Sequence, residues 1–332
     1  MRASADRNIV RVASSGSSGT GRRIPLWLAV AAAVAVGVLT ALQARINGSL
    51  GDAIDDGYTA AVISFASGLV IVLLVTALLP SGRSGLSRLI QGVRSRIIPV
   101  WMLLGGFAGA LTVATQGLTV ATIGVALFTV GVVAGQTIHG LILDRLGYGP
   151  GGVVAVTVPR LVGGALAVAG VVVCLAGVTG APAPWMLLLP LLAGAGIAWQ
   201  QATNGRLNQR VGNPLTATLV NFLGGTLALS VAAAVHVLVD GAPRTLVVDP
   251  WLYLGGAVGA LYIFLSAAVV RITGVLLLGL GSVVGLLAMS IGLDAFWPAP
   301  SGPPLPVALT GVAIALIGVG IVVGWRRRRS TD

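Results

Sequence analysis

The sequence predicts an all-α integral membrane protein, with ten transmembrane helices forming a 5+5 inverted-topology repeat. Three observations predict it: composition, an internal duplication and the placement of arginine. Of 332 residues, 56% are apolar and only 9% charged, and the mean hydropathy is +0.99. A soluble domain carries about 25% charged residues, so this chain is built for a bilayer.

The duplication is clearest in Trp199 to Gly225, the densest polar stretch of the second half. A shift of 157 positions sets Asn204-Gly205 on Asn47-Gly48, Gln200 on Gln43, Thr216-Ala217 on Thr59-Ala60, Phe222 on Phe65 and Gly225 on Gly68. A shift of 150 sets Trp101 on Trp251, Gly105-Gly106 on Gly255-Gly256, Gly109 on Gly259 and Leu143-Asp144 on Leu293-Asp294. A shift of 148 sets Gly163 and Gly170 on Gly311 and Gly318. Shared membrane composition could match a few glycines. It would not keep Trp, Asp, Asn-Gly and Phe in one consistent order.

A hydrocarbon core of ~30 Å takes ~20 apolar residues at about 1.5 Å each. Residues 1–23 are rich in Ser, Gly and Arg and predict a disordered cytoplasmic tail. Leu26 to Leu42 follows Arg22-Arg23 as a signal peptide would, but its counterpart in the second half makes it a membrane helix. Ten segments follow: 26–46, 59–79, 99–117, 121–143, 153–179, 185–204, 214–239, 251–270, 272–293 and 305–325. Breaks fall at Pro80-Ser-Gly-Arg, at Gly147 to Gly152, at Ala181-Pro-Ala-Pro and between Pro298 and Pro306. The boundaries at Gln116 to Thr122 and Val270 to Thr273 are the weakest. The first repeat is thus 24–180, the second 181–325, and 326–332 a basic tail.

Arginine sets the orientation, because short Arg-rich loops stay cytoplasmic. The N-terminal tail, loop 80–98 (Arg83, Arg88, Arg94, Arg96), the flanks of loop 144–152 (Arg145, Arg160), loop 204–213 (Arg206, Arg210) and Arg326 to Arg329 alternate with Arg-poor loops. Ten helices with both termini in the cytoplasm satisfy nearly every loop. Five helices per half then insert in opposite orientations, the symmetry that puts a substrate site between the halves and lets them rock. The net charge of +11 is orientation charge; nucleic acid is not an expected partner.

The chain has no Lys and no Glu: its twenty cations are Arg and its nine acids Asp. A phosphate-binding loop of the Walker type needs its Lys, so this chain alone is no ATP-driven pump. The buried Glu usual in small multidrug antiporters is missing too. Lone Cys174 offers neither a disulfide nor a Cys-rich metal site. No HExxH, GxSxG or paired acids in one helix point to an enzyme, and no cofactor or metal is expected.

Intramembrane polar residues are functional candidates. Gln43, Asn47, Gln116, Gln136, His139, Gln200, Gln201, Asn204 and Asn221 are the expected substrate pathway. His139 and Asp144 are the candidates for proton coupling, and His139 is the only deep proton carrier in the sequence. Each has a bland alternative. His139 can be a neutral hydrogen-bonded group, and Asp144 an interfacial ion pair. Gln116 and Asn221 can be helix glue, and each Asn-Gly a helix C-cap with Gly left-handed. Capping does not explain why Gln43 and Gln200 each recur one turn, ~6 Å, deeper than their Asn. His236 reads as interfacial. Trp27, Trp101, Trp185, Trp251, Trp297 and Trp325 read as an aromatic belt.

Gln43 to Asn47, Gly135-Gln136 through Leu141-x-Leu143-Asp144-x-x-Gly147, and Pro159-Arg160 to Gly163 resemble the YdcZ family of inner-membrane exporters, within the drug/metabolite transporter superfamily. The resemblance spans about residues 25–325. It implies the 5+5 inverted fold, a location in the bacterial inner membrane and export of a small metabolite or drug-like molecule, and it brings no site list. Leu286 and Met289 stand where the first half has Gln136 and His139, so chemistry there is one-sided. The expected partners are a small-molecule substrate and the bilayer, with a homodimer left open. A non-transporting scaffold or accessory subunit is the competing expectation.

Overall fold

The computed structural model describes residues 26–149, 152–153, 155–178, 182–241, 243 and 249–329. The tail expected at 1–23 and most of loop 240–250 lie outside them, as do the side chains of Trp27 and Trp325. The described residues form helices α1 (Leu26–Ala53), α2 (Gly57–Leu78), α3 (Pro80–Arg94), α4 (Gly105–Ile123), α5 (Val125–Arg145), α6 (Val158–Ala176), α7 (Pro184–Val211), α8 (Pro214–Asp240), α9 (Gly255–Phe296) and α10 (Leu305–Arg329), and no strand. Short 3-10 turns, Val100–Leu103 and Pro250–Tyr253, precede α4 and α9 at the two duplicated tryptophans. Among the described residues seven helices are long and apolar enough to cross a bilayer, and Gly255–Ser266, Gly281–Phe296 and Leu305–Ile321 are shorter apolar helices.

Local chemistry sets the helix ends. Asp56 is extended and caps α2, accepting from the N–H of Tyr58 (2.9 Å) and Thr59 (3.0 Å). Asn213, its counterpart 157 residues on, caps α8 from Leu215 N (2.9 Å). Gly124 separates α4 from α5 with φ of 83°, a conformation that a side chain would strain. α4 runs antiparallel to α7 (Gly105 against Asn204, Gly109 against Gln200) and α5 parallel to it (Gly131 against Pro190, Leu143 clustered with Ala202). The single residue Gly124 therefore turns a hairpin.

α9 repeats that hairpin inside one helical element. Gly255 and Gly259 pack on Asn47 and Gln43, whereas Gly281 and Gly285 pack on Ala33 and Val38. In a straight helix Gly259 and Gly285 would be ~39 Å apart, but Gln43 and Val38 are ~8 Å apart along α1. α9 must fold back between Gly259 and Gly281, the region of the weak boundary at Val270 to Thr273.

Loop 80–98 is corrected by α3. Its Ser, Gly and Arg suggested a loop, but Leu86, Leu89, Ile90 and Val93 keep helical spacing and Pro80 fits a first turn. Leu89 is buried among Ile98, Met102, Leu207 and Val211, and Arg88 Nε donates to the carbonyl of Val211 at 2.7 Å. The basic tail expected from 326 likewise continues α10 to Arg329.

The halves meet through contacts that recur when they are exchanged. Phe65 and Phe222, counterparts in the duplication, stack with centroids 5.1 Å apart. Gly163 packs on Gly318 and Gly170 on Gly311, so α6 and α10 cross antiparallel. A methyl on Gly106 would overlap the carbonyl of Asn221, and one on Gly256 the carbonyl of Ser64. These are counterpart crossings of α4 on α8 and α9 on α2, close enough that only glycine fits.

Candidate functional site

Two clusters of side-chain amides lie where the halves cross. In the first, Asn47 Nδ2 donates to Gln116 Oε1 (2.7 Å) and Gln43 Nε2 to the carbonyl of Gly255 (3.2 Å). In the second, Asn221 Oδ1 accepts from Gln200 Nε2 (2.6 Å) and Asn204 Nδ2 (3.2 Å). Each Asn/Gln pair belongs to one half and packs on glycines of the other: Asn47 and Gln43 on Gly255 and Gly259, Asn204 and Gln200 on Gly105 and Gly109. Neither Asn-Gly is a C-cap. α1 continues to Ala53, and α7 to Val211, with left-handed Gly212 ending it. A polar side chain that disfavours a helix interior is kept there because a glycine opposite leaves room for it. Among the described residues neither Asn47 Oδ1 nor Asn204 Oδ1, both buried, has an N–H or O–H donor; they face Gly255 and Gly105 respectively.

The third amide comes from a different helix in each cluster. Gln116 lies on α4, where the second half has Ser266, and Asn221 on α8, where the first half has Ser64. Exposure differs with it. Gln43, Asn47 and Gln116 are sealed, at 5%, 0% and 2% of their surface. In the second cluster Asn221 is buried, Gln200 and Asn204 are half-buried, and neighbouring Gln201 is exposed.

Gln201 Oε1 accepts from Gln136 Nε2 at 3.1 Å, which ties the open cluster to α5. His139 follows one turn below Gln136, half-buried. Among the described residues none makes a hydrogen bond or ion pair with it, so the neutral hydrogen-bonded alternative gains nothing. Asp144 does not join this group. It pairs with Arg160 at the start of α6, an ion pair as the alternative held, with Arg160 rather than Arg145. Trp199 Nε1 donates to Tyr148 Oη (3.1 Å), which lies 3.1 Å from Thr203 Oγ1. Trp101 is more than a belt residue: Arg206 stacks 5.8 Å from its ring and 5.1 Å from that of Tyr148.

Two structural acids escaped the sequence reading. Asp294 Oδ1 and Oδ2 accept from the N–H groups of Val125 (2.9 Å) and Ala126 (2.7 Å), so the end of α9 caps the start of α5 across the halves. Its match to Asp144 was visible, but not its partner 168 residues away. Asp56 is the other; the signal was Asp-Gly ahead of an apolar run, an N-cap pattern.

The side-chain amides of each cluster bond to one another or to backbone, and among the described residues no group of three metal-ligating side chains accompanies them. A comparison with curated proteins found no match. A family model described as "Putative inner membrane exporter, YdcZ" matches residues 28–173 and 185–321, once per half. The match covers most of the chain and repeats with its duplication, and on that ground this multi-pass membrane protein belongs to the YdcZ family of inner-membrane exporters.

Proposed function

We propose that the chain is a secondary transporter that exports a small polar metabolite or drug-like molecule by alternating access between its halves. The observation that carries this is the unequal state of two duplicated sites: Gln43, Asn47 and Gln116 are sealed, while Gln200, Gln201 and Asn204 reach the surface. Equivalent sequence in two states is what inverted repeats produce when one gate is shut and the other open. The seven long apolar helices, the two limbs of α9 and α10 make ten crossings, with α3 lying along the surface. The alternating arginines support cytoplasmic termini, which puts the open cluster inward and the sealed one outward. The substrate pathway is then lined by Gln136, His139, Gln200, Gln201, Asn204 and Asn221, with Gln43, Asn47 and Gln116 as the closed outer mouth. His139 carries any coupled proton, since Asp144 is held by Arg160. The working partners are the substrate and the bilayer; no catalysis, cofactor or nucleic acid enters the cycle.

The test is uptake by proteoliposomes against a metabolite panel, with and without a proton gradient. Wild-type protein accumulates a substrate, and Gln200→Leu and Gln43→Leu each reduce the rate at least about tenfold, the loss expected when a substrate hydrogen bond goes and its partner stays buried. His139→Gln retains downhill flux and loses gradient-driven accumulation. Full transport by both Leu variants would make the amides packing groups and favour the scaffold.

A further inference from the structure

The crossing of α2 and α8 ends differently at its two extremities. At one end His236 of α8 lies between two carboxylates. Its Nδ1 is 2.9 Å from Asp240 Oδ2, and its Nε2 is 3.7 Å from Asp56 Oδ1. Tyr58 stacks on the ring with centroids 5.1 Å apart. Asp56 is fixed: it is 3% exposed, its Oδ1 holds the first N–H groups of α2, and its Oδ2 accepts from Thr59 Oγ1. At the other end the duplication puts Asn213 in the place of Asp56, Leu79 in that of His236 and Arg83 in that of Asp240. There the closure is neutral or permanently charged: Asn213 Nδ2 donates to the carbonyl of Ser81, and Arg88 to that of Val211.

A neutral imidazole has one N–H and one lone pair. Whichever nitrogen carries the proton, the other directs its lone pair at a carboxylate oxygen, of Asp56 or of Asp240. Only the imidazolium has a donor for both. Binding a proton therefore turns one repulsive contact into an ion pair and ties α2, of the first half, to α8, of the second. Among the described residues Tyr58 is the further titratable group in contact with the ring, and it is no cation that would oppose its charge.

We propose that His236, with Asp56 and Asp240, is a proton-binding latch that locks this end of the α2–α8 crossing when protonated, while the opposite end closes independently of pH. The inference rests on the alternating-access reading above for its use, since that reading makes this the outer gate. An acidic exterior would then hold the outer gate shut. The proton returns to the side it came from, so the latch sets gate position and is separate from coupling through His139.

The experiment measures the latch directly. Ala53 beside the start of α2, and Val239 on α8, are exposed. Spin labels at Ala53→Cys and Val239→Cys, in a Cys174→Ser background, report the gap by electron–electron resonance in nanodiscs. Between roughly pH 5 and pH 8, the range in which an imidazole changes charge, the distance is expected to lengthen by about 2 Å or more, as packed helices do on switching. In His236→Gln, checked for folding by size exclusion, it stays at its high-pH value at both pH values. Asp240→Asn gives a smaller shift. A pH-invariant distance with His236 present, or a full response without it, overturns the latch. The distance shift without any transport in the same preparation sustains the latch and sinks the transporter reading instead.

Discussion

Asp144 and Asp294 hold the same position in the two halves, 150 residues apart in the sequence. One ends α5 and meets Arg160 at a half-exposed surface. The other ends α9, accepts two backbone N–H groups at the start of α5, and lies within electrostatic reach of Arg45. The counterpart of Arg160 is Ala308, and that of Arg45 is Ala202, so the copied acid found a different partner in each half. Duplication preserves where a residue sits; its work is decided by neighbours that diverged. The amide clusters repeat this, with Gln116 sealing one and Asn221 organising the other.

The largest expected consequence is in stability. Asp294→Ala leaves two backbone donors of α5 without their acceptor and removes an anion from the neighbourhood of Arg45, and hydrogen bonds to charged groups are the strong ones. The variant should lose about 3 kcal/mol, read as the temperature at which half the protein survives size exclusion in detergent. Asp144→Ala removes a half-exposed pair and should lose about 1 kcal/mol or less. Equal losses would break the comparison, because the two acids would then share a structural role.

A smaller difference is expected between the two asparagines. Asn47→Ala strands Gln116 Oε1, which is 2% exposed on the residue. Side-chain hydrogen bonds between membrane helices average about 0.6 kcal/mol, with a maximum near 1.7, and a stranded buried amide belongs toward the upper figure. Asn204→Ala leaves Asn221 still paired to Gln200, so about 0.5 kcal/mol or less is expected. The same thermal measurement decides it. A greater loss from Asn204→Ala would mean that the half-open cluster is the better-ordered one.

The sequence carried the class, the duplication and the polar residues, because each is written locally: apolar runs, repeated spacing, Asn and Gln in apolar helices. What it did not carry was partnership. That Asn47 meets Gln116 depends on how α1 crosses α4, and nothing near residue 47 encodes it. Asn-Gly looked like a helix end because Gly favours left-handed backbone. Here Gly105 and Gly255 open space for the Asn side chains across a crossing, and Gly48 itself packs on Val120. α3 was missed for a composition reason: a surface helix among arginines and serines resembles a loop unless its Leu86–Leu89–Val93 spacing is weighed above its glycines. His236 looked interfacial because its partners include Asp56, 180 positions away in the sequence.

The smallest effect expected lies at the C-terminal end of α7. Arg206 stacks on Tyr148 and Trp101 and donates Nη2 to the carbonyl of Gly147 at 2.8 Å; its counterpart in the first half is Ser49. A guanidinium over aromatic rings contributes about 0.5–1 kcal/mol at a partly exposed site, so Arg206→Gln should lower the same survival temperature slightly. Lysine keeps the charge but not the flat fork that both stacks and reaches Gly147, so Arg206→Lys should fall between wild type and Arg206→Gln. Trp101→Phe keeps a ring with a weaker face and should do less than either. If Arg206→Lys equals wild type, the positive charge alone matters, as an orientation signal at the membrane surface. If Arg206→Gln instead loses as much as Asp294→Ala, this end of the molecule is held as rigidly as the sealed one, and the contrast between an open and a closed cluster fails.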